Sequence, residues 1–158
     1  MKNLVTLRFM LISLFAAMSM VMNAATVEYK TDDGFRYKLD TETKTAVLSK
    51  YSGSATEVVI PASVTYNDVS FTVTSLGDNC FYDCSSLTSV TIPSSVTSFG
   101  DKCFHLCRSL TSVTIPSSVT SLGKYCFYGC RNLPSHIESD IIQRFGEKVF
   151  ECTLFDFK

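Results

Sequence analysis

Apolar positions along this chain fit no single period over its whole length, but one mixed pattern of apolar and polar residues returns every 23 residues. Gly77, Gly100, Gly123 and Gly146 keep that spacing, and so do Phe81, Phe104, Phe127 and Phe150. A chain that reuses one unit at a fixed period predicts a solenoid, because each unit can bury its apolar side only against the next.

The unit has a readable shape. Leu87, Val90 and Ile92 open it, and Val90 and Ile92, two apart, point to one side of a strand while Ser89 and Thr91 point to the other. Pro93 ends that strand, since it has no ladder donor. Val96 and Phe99 turn inward next, and Gly100 is expected to hold a backbone conformation that a side chain would forbid. Cys103, Phe104 and Cys107 then share one face of a short helical turn. The following copy, Leu110 to Cys130, repeats these choices nearly residue for residue.

The period extends to both sides. Val73, Leu76, Gly77, Cys80, Phe81 and Cys84 form an earlier half-unit, and Ile142, Phe145, Gly146, Val149 and Phe150 a worn later one. Ile60-Pro61 precedes Ile92-Pro93 by 32 residues, nine more than the period. The surplus falls near 64–73, which reads as a hairpin turning at Asn67-Asp68 and bulging from the solenoid. Ahead of the repeats, Val27 to Lys30 and Phe35 to Leu39 alternate around Asp32-Asp33-Gly34. With strands at Ala46 to Leu48 and Val58 to Ile60 they predict a β cap over residues 26–58, shielding the open end of the stack. Repeats fill 59–134. In 135–158, Ser135 and Glu138 fit a capping box and Ile137, Ile141, Ile142 and Phe145 a helical face. That stretch is expected to be a degenerate last coil or cap, part helical, closed by a strand near Glu151 to Phe157.

Composition adds an address. Lys2 and Arg8 precede an apolar run from Leu11 to Val21, and Asn23-Ala24-Ala25 supply small residues for cleavage, so 1–25 reads as a secretory signal peptide. No cysteine precedes Cys80 to carry a lipid, and no second apolar span follows, so the product is expected to be secreted, periplasmic or held at the cell surface, with no membrane span after cleavage. Cleavage leaves twelve basic and fifteen acidic residues, a formal charge of −3, which argues against a nucleic-acid partner.

The unit Leu-Thr-Ser-Val-Thr-Ile-Pro-Ser-Ser-Val-Thr-Ser-Phe-Gly-Asp-Lys-Cys-Phe-His-Leu-Cys, Leu87 to Cys107, closely resembles the repeat of BspA-like leucine-rich repeat proteins. In that family the second half reads Ile-Gly-x-x-Ala-Phe-x-x-Cys; Gly100, Phe104 and Cys107 match it, while Cys80, Cys103 and Cys126 stand where alanine is usual. The resemblance covers roughly 55–134. It implies an α/β leucine-rich repeat right-handed solenoid with a short parallel sheet on its concave side, here with an N-terminal β-hairpin cap and about four 23-residue coils. It also implies a bacterial exported or surface protein with an adhesion-type role, binding an extracellular protein or glycan such as host matrix.

Seven cysteines in an exported chain admit two readings, packed thiols or disulfides. Equivalent cysteines one coil apart fall within disulfide range, but their parallel Cβ vectors suit a bridge poorly. Cys80/Cys84, Cys103/Cys107 and Cys126/Cys130 lie in the inward register, Cys152 outside it. The spacing does not suit zinc, and neither metal nor cofactor is expected. His105 and His136 are tied to no nucleophile by any motif, and no phosphate loop is present, so catalysis is not expected.

Two surfaces could bind: the hydroxyl-lined concave face of Thr88, Ser89, Thr91, Thr111, Ser112 and Thr114, and an outer aromatic column of Tyr82, His105 and Tyr128. The chain therefore reads as an exported, non-catalytic interaction module. A purely structural or remnant repeat protein, or an unrecognised secreted hydrolase, are the alternatives.

Overall fold

The computed structural model describes residues 26–150. The signal-peptide assignment to 1–25, the strand near Glu151 to Phe157 and Cys152 lie outside the described residues.

The chain begins with antiparallel strands and changes to a solenoid within one strand. β1 (Thr26–Lys30) and β2 (Phe35–Asp40) pair antiparallel across a turn where Gly34 has φ +92°. In β2, Phe35, Tyr37 and Leu39 are buried and Arg36 and Lys38 exposed, the alternation a half-covered strand requires. β3 (Thr45–Tyr51) pairs antiparallel with β2 and parallel with β6 (Val69–Leu76), joining cap and solenoid in one sheet. β5 (Ser63–Tyr66) pairs antiparallel with β6 around Asn67 and Asp68, both at positive φ, which a two-residue turn matched to strand twist demands. The hairpin does not merely bulge outward: β6 is also the first rung of the ribbon that continues through β8 (Ser98–Phe99) and β10 (Ser121–Leu122).

A second sheet is all parallel, β4 (Glu57–Val59), β7 (Ser89–Thr91) and β9 (Ser112–Thr114), with Val58, Val90 and Val113 in register. It has three rungs, so the stack holds about three turns rather than four. The next strand position is taken by α1 (Ser135–Phe145). Where two coils place Val90 and Ile92, and Val113 and Ile115, the next one places His136 and Glu138. Neither can face an apolar core unpaired, so the register fails and helical periodicity wins. Pro134 is the N-cap residue and Ser135 already helical, so the anticipated capping box is not made. A 3-10 turn, Glu147–Val149, follows and lays Phe150 on Phe127.

The core is a column of rings. Phe81, Phe104 and Phe127 are fully buried and stack at 5.0 and 5.3 Å, with planes within 7° and 5° of parallel. Tyr51 extends the column at one end and Phe150 at the other. Burial contributes roughly 2–3 kcal/mol per ring and stacking about 1 more. Leu87, Val90, Ile92, Val96, Phe99, Cys103 and Cys107 surround it, all buried.

Tight corners place two residues per coil in left-handed backbone, Asn79, Lys102 and Tyr125 in one column and Asp83, Leu106 and Gly129 in another. A non-glycine residue there costs about 1–2 kcal/mol. Five of the six donate a backbone N–H hydrogen bond to the next coil: Asn79 to the Asp101 carbonyl at 2.9 Å, Lys102 to Lys124 at 2.9 Å, Tyr125 to Lys148 at 3.1 Å, Asp83 to His105 at 2.8 Å and Leu106 to Tyr128 at 2.8 Å. Gly100 plays a different part from the one anticipated. Its φ is not left-handed; rather, a Cβ there would stand 2.5 Å from the Asp78 nitrogen and 2.7 Å from the Gly77 carbonyl carbon. Gly100 and Gly123 are needed because adjacent coils touch backbone to backbone there.

Candidate functional site

The corner that carries Phe104 inward carries His105 outward, and the same holds one coil before and after. Tyr82, His105 and Tyr128 therefore form a second ring column outside the solenoid. Tyr82 and His105 stack at 5.0 Å with planes 6° apart, and His105 and Tyr128 at 4.9 Å with planes 27° apart. Tyr82 is among the few large hydrophobic side chains left exposed. His105 is half-buried, and its Nδ1 is buried without a hydrogen-bond partner. Burial between the tyrosines, then nearby Lys102, hold its pKa below the ordinary histidine value, against a weaker opposing pull from Asp83.

The face of the three-stranded sheet is built differently. Thr88 and Thr111 commit their hydroxyl protons to the preceding coil, to the Thr56 carbonyl at 2.9 Å and that of Thr88 at 3.2 Å, which leaves each hydroxyl oxygen only acceptor capacity toward a partner. Ser89, Thr91, Ser112 and Thr114 lie on β7 and β9 with Val90 and Val113 turned inward between them. On β4 the same face ends in Val59, which is 70% exposed and which the sequence reading did not single out. The threonines of the adjoining side behave like Thr111: Thr97 donates to the Thr74 carbonyl and Thr120 to that of Thr97.

Two further polar devices were not legible from the period. Asp78 and Asp101 stand one coil apart, and each carboxylate accepts from the backbone N–H one coil on, of Asp101 and Lys124 respectively, at 2.8 Å. Arg144 of α1 reaches back to the end of the sheet, donating to the carbonyls of Ile115 and Pro116 at 3.0 Å each. It lies beside Asp140 at 3.7 Å and over the Phe145 ring. The arginine ties α1 to the end of the last strand, giving the Ile115 carbonyl a donor and adding a second one to the Pro116 carbonyl, which also accepts from Val119 N–H at 3.1 Å.

The six described cysteines are free thiols. Cys107 donates to the Phe81 carbonyl and Cys130 to that of Phe104, both at 3.0 Å. Burial pushes Cys103 and Cys126 well above the ordinary thiol range, and the neighbouring Cys130 thiol, together with burial, does the same to Cys107. Cys84, half-buried, is pushed up to about 11, chiefly by burial. Among the described residues no cluster of three or more metal-ligating side chains occurs, and no helix is long and apolar enough to cross a membrane. His136 is the second residue of α1, away from the aromatic column in sequence and element.

Comparison with known proteins agrees with this architecture. The family described as BspA type leucine rich repeat region matches residues 74–156 in six copies. A crystal structure of a leucine rich cell surface protein from Faecalibacterium prausnitzii is 34% identical with a TM-score of 0.60, over 69% of this chain and 30% of that one. One of a leucine-rich repeat protein from Bacteroides ovatus is 34% identical with a TM-score of 0.62, over 66% of this chain and 28% of that one. This chain thus spans under a third of either. A leucine rich repeat protein of T. pallidum, at 21% identity and a TM-score of 0.50, shares the fold. Among curated proteins none gives a significant match.

Proposed function

The chain belongs to the BspA type leucine rich repeat family, and from that premise we propose that it is an exported, non-catalytic module that binds a protein or glycan outside the cell through the Tyr82–His105–Tyr128 column. The observation that carries this reading is the column itself. Three rings are held in order on the outside, at spacings of 5.0 and 4.9 Å, by the same corners that hold the core. Ordered, amphipathic rings bind at small entropic cost, because little freedom remains to be lost. On the rival sheet face, Thr88 and Thr111 already donate their hydroxyl protons to neighbouring coils and can offer a partner only acceptors. The Faecalibacterium relative is a cell surface protein, which supports an exported address for this chain.

His105 supports binding better than hydrolysis. Its ring lies between two tyrosine faces and its Nδ1 makes no hydrogen bond, so no nucleophile is activated through that atom. Capture on arrays of extracellular matrix proteins and glycans tests the proposal. Binding should be retained by Thr91→Arg and Thr114→Arg and lost in His105→Ala and Tyr128→Ser; the opposite pattern would move the site to the sheet, and no capture by the wild type would favour a purely structural repeat.

A further inference from the structure

The first coil is shorter than those after it, and the shortfall lies beside the aromatic column. Tyr51 stacks on Phe81 at 5.3 Å, and Glu57 pairs with Ser89. Between these two registers the first coil advances six residues, Tyr51 to Glu57, where the second advances eight, Phe81 to Ser89. The third, Phe104 to Ser112, again advances eight. The short stretch is also nearly bare of side chains, reading Ser52-Gly53-Ser54-Ala55. A recess of about 280 Å³ is left between it and the segment from Asp83 to Leu87.

Tyr82 is not itself a lining residue, but its chain neighbour Asp83 and its register partner Ser52 both are, which sets its ring beside the recess. One face of that ring is covered by His105. The Tyr51–Phe81 register places Ser52 on the other side, so the second face meets no ring, and Tyr82 is 47% exposed. Exposed Asp83 lines the recess with Ser52, Ser54, Ser85 and Ser86. The frame is fixed before any ligand arrives. Tyr51 N–H donates to the Cys80 carbonyl at 2.8 Å, Ser52 N–H to that of Gly34 at 2.9 Å, and Ala55 N–H to the Tyr51 hydroxyl at 3.2 Å. A Cβ on Gly53 would strike the Tyr51 ring, 2.8 Å from Cε2, so the loop is folded tightly over that side chain.

We propose that this recess is a carbohydrate site that takes one sugar ring of an extracellular glycan, stacked on the open face of Tyr82 and hydrogen-bonded to Asp83 and the serines. A sugar ring has an apolar C–H face and a rim of hydroxyls. The electron-rich ring face of tyrosine suits the first. A carboxylate accepts from two hydroxyls, and serines both donate and accept, which suits the second. The volume is near the roughly 300 Å³ lower bound of small-molecule clefts, enough for one sugar. A protein partner would want an apolar anchor pocket; here Tyr51 and Leu87 are themselves buried, and the accessible walls are Asp83 and four serines beside Gly53, Ala55 and Cys84. The inference rests on the module reading but requires neither His105 nor Tyr128.

Saturation-transfer NMR on the chain with free glucose, galactose, mannose, fucose, N-acetylglucosamine and sialic acid tests it. At least one sugar should receive saturation, strongest on the protons of one ring face. Its affinity should fall about tenfold or more in Tyr82→Ala, stay within about twofold in Tyr82→Phe, and be unchanged in Thr114→Arg on the sheet face. Ser54→Leu, which fills the recess without touching the column, should abolish binding. No transfer to any of the six sugars, or an affinity unmoved by both Tyr82→Ala and Ser54→Leu, would overturn the site. Array capture that survives loss of sugar binding in Ser54→Leu would assign the captured ligand to the column alone.

Discussion

Cys107 gives its thiol proton to the carbonyl oxygen of Phe81, 3.0 Å away in the preceding coil, and Cys130 does the same to Phe104. In the Cys103/Cys107 and Cys126/Cys130 pairs, the C-terminal cysteine thus fastens its coil to the one before. Cys107→Ala removes both the bond and the packed sulfur, and should lower stability by about 1–2 kcal/mol. Cys107→Ser keeps a donor and should cost less. Urea denaturation compares them; equal losses would show that the thiol acts by volume alone.

Thiol reactivity should follow burial. In a Cys152→Ser background, iodoacetamide should modify Cys84 first, because it is the half-buried one and lines a recess. With its pKa near 11, only the small thiolate fraction reacts, so the rate should rise about a hundredfold from pH 8 to pH 10. Peptide mapping before and after denaturation reads the order of labelling. Rapid labelling of Cys103 or Cys126 in the folded chain would contradict the closed core.

How much of this was legible in the sequence divides along a physical line. Core positions could be read because burial repeats with the chain: Leu87, Val90, Ile92, Phe104 and Cys107 are all inside. The cap's hairpin was legible from Asp32-Asp33-Gly34 and the alternation beside it. What one coil does to the next was not. Nothing in a single unit says that Thr111 will bond Thr88, or that Gly100 is needed for the approach of Gly77. The helix at Ser135–Phe145 replaced a strand because His136 and Glu138 took apolar positions, a contest that periodicity alone left undecided. The recess depended on a two-residue shortfall that shows only once the registers Tyr51–Phe81 and Glu57–Ser89 are both known.

Glycines in equivalent positions should not be equivalent. Gly100→Ala drives a Cβ into the Asp78 amide, 2.5 Å away, and neither backbone can yield alone. It should cost about 1–3 kcal/mol as an overpacking defect. At Gly146 nothing lies within 4 Å, and only its φ of +84° resists a side chain, so Gly146→Ala should cost about 1–2 kcal/mol through backbone strain alone. Denaturation together with amide exchange separates the cases: Gly100→Ala should loosen the Gly100–Leu76 bond, Gly146→Ala should leave it untouched.

His105 should respond to pH in a defined sense. Its folded-state pKa is lowered by burial and Lys102, so the unfolded chain binds the proton more readily. Stability from this group is present above the unfolded value of about 6.5 and is lost as pH falls below it. NMR titration of the ring protons should give a value below about 6.5 that rises toward it in Tyr128→Ser, as water reaches the ring. A fall in that variant would mean that the tyrosine faces favour the cation.

Arg144 should matter through its fork rather than its ion pair. Arg144→Ala removes the donor to the Ile115 carbonyl and one of two donors to that of Pro116, and should cost about 1.5–3 kcal/mol. Arg144→Lys should recover little, since one ammonium does not reproduce two parallel donors. Asp140→Asn should change stability by under about 0.5 kcal/mol, because that pair is 3.7 Å apart and the aspartate side chain is 62% exposed. Thermal melts of the three variants check the order.

The coils share one buried ring column, and Phe104 is its middle member. The most direct measurement is urea denaturation of Phe104→Ala against the wild type. A cooperative loss of about 3–5 kcal/mol is the predicted result; a loss under about 1 kcal/mol would place that ring outside a packed core and contradict the stack.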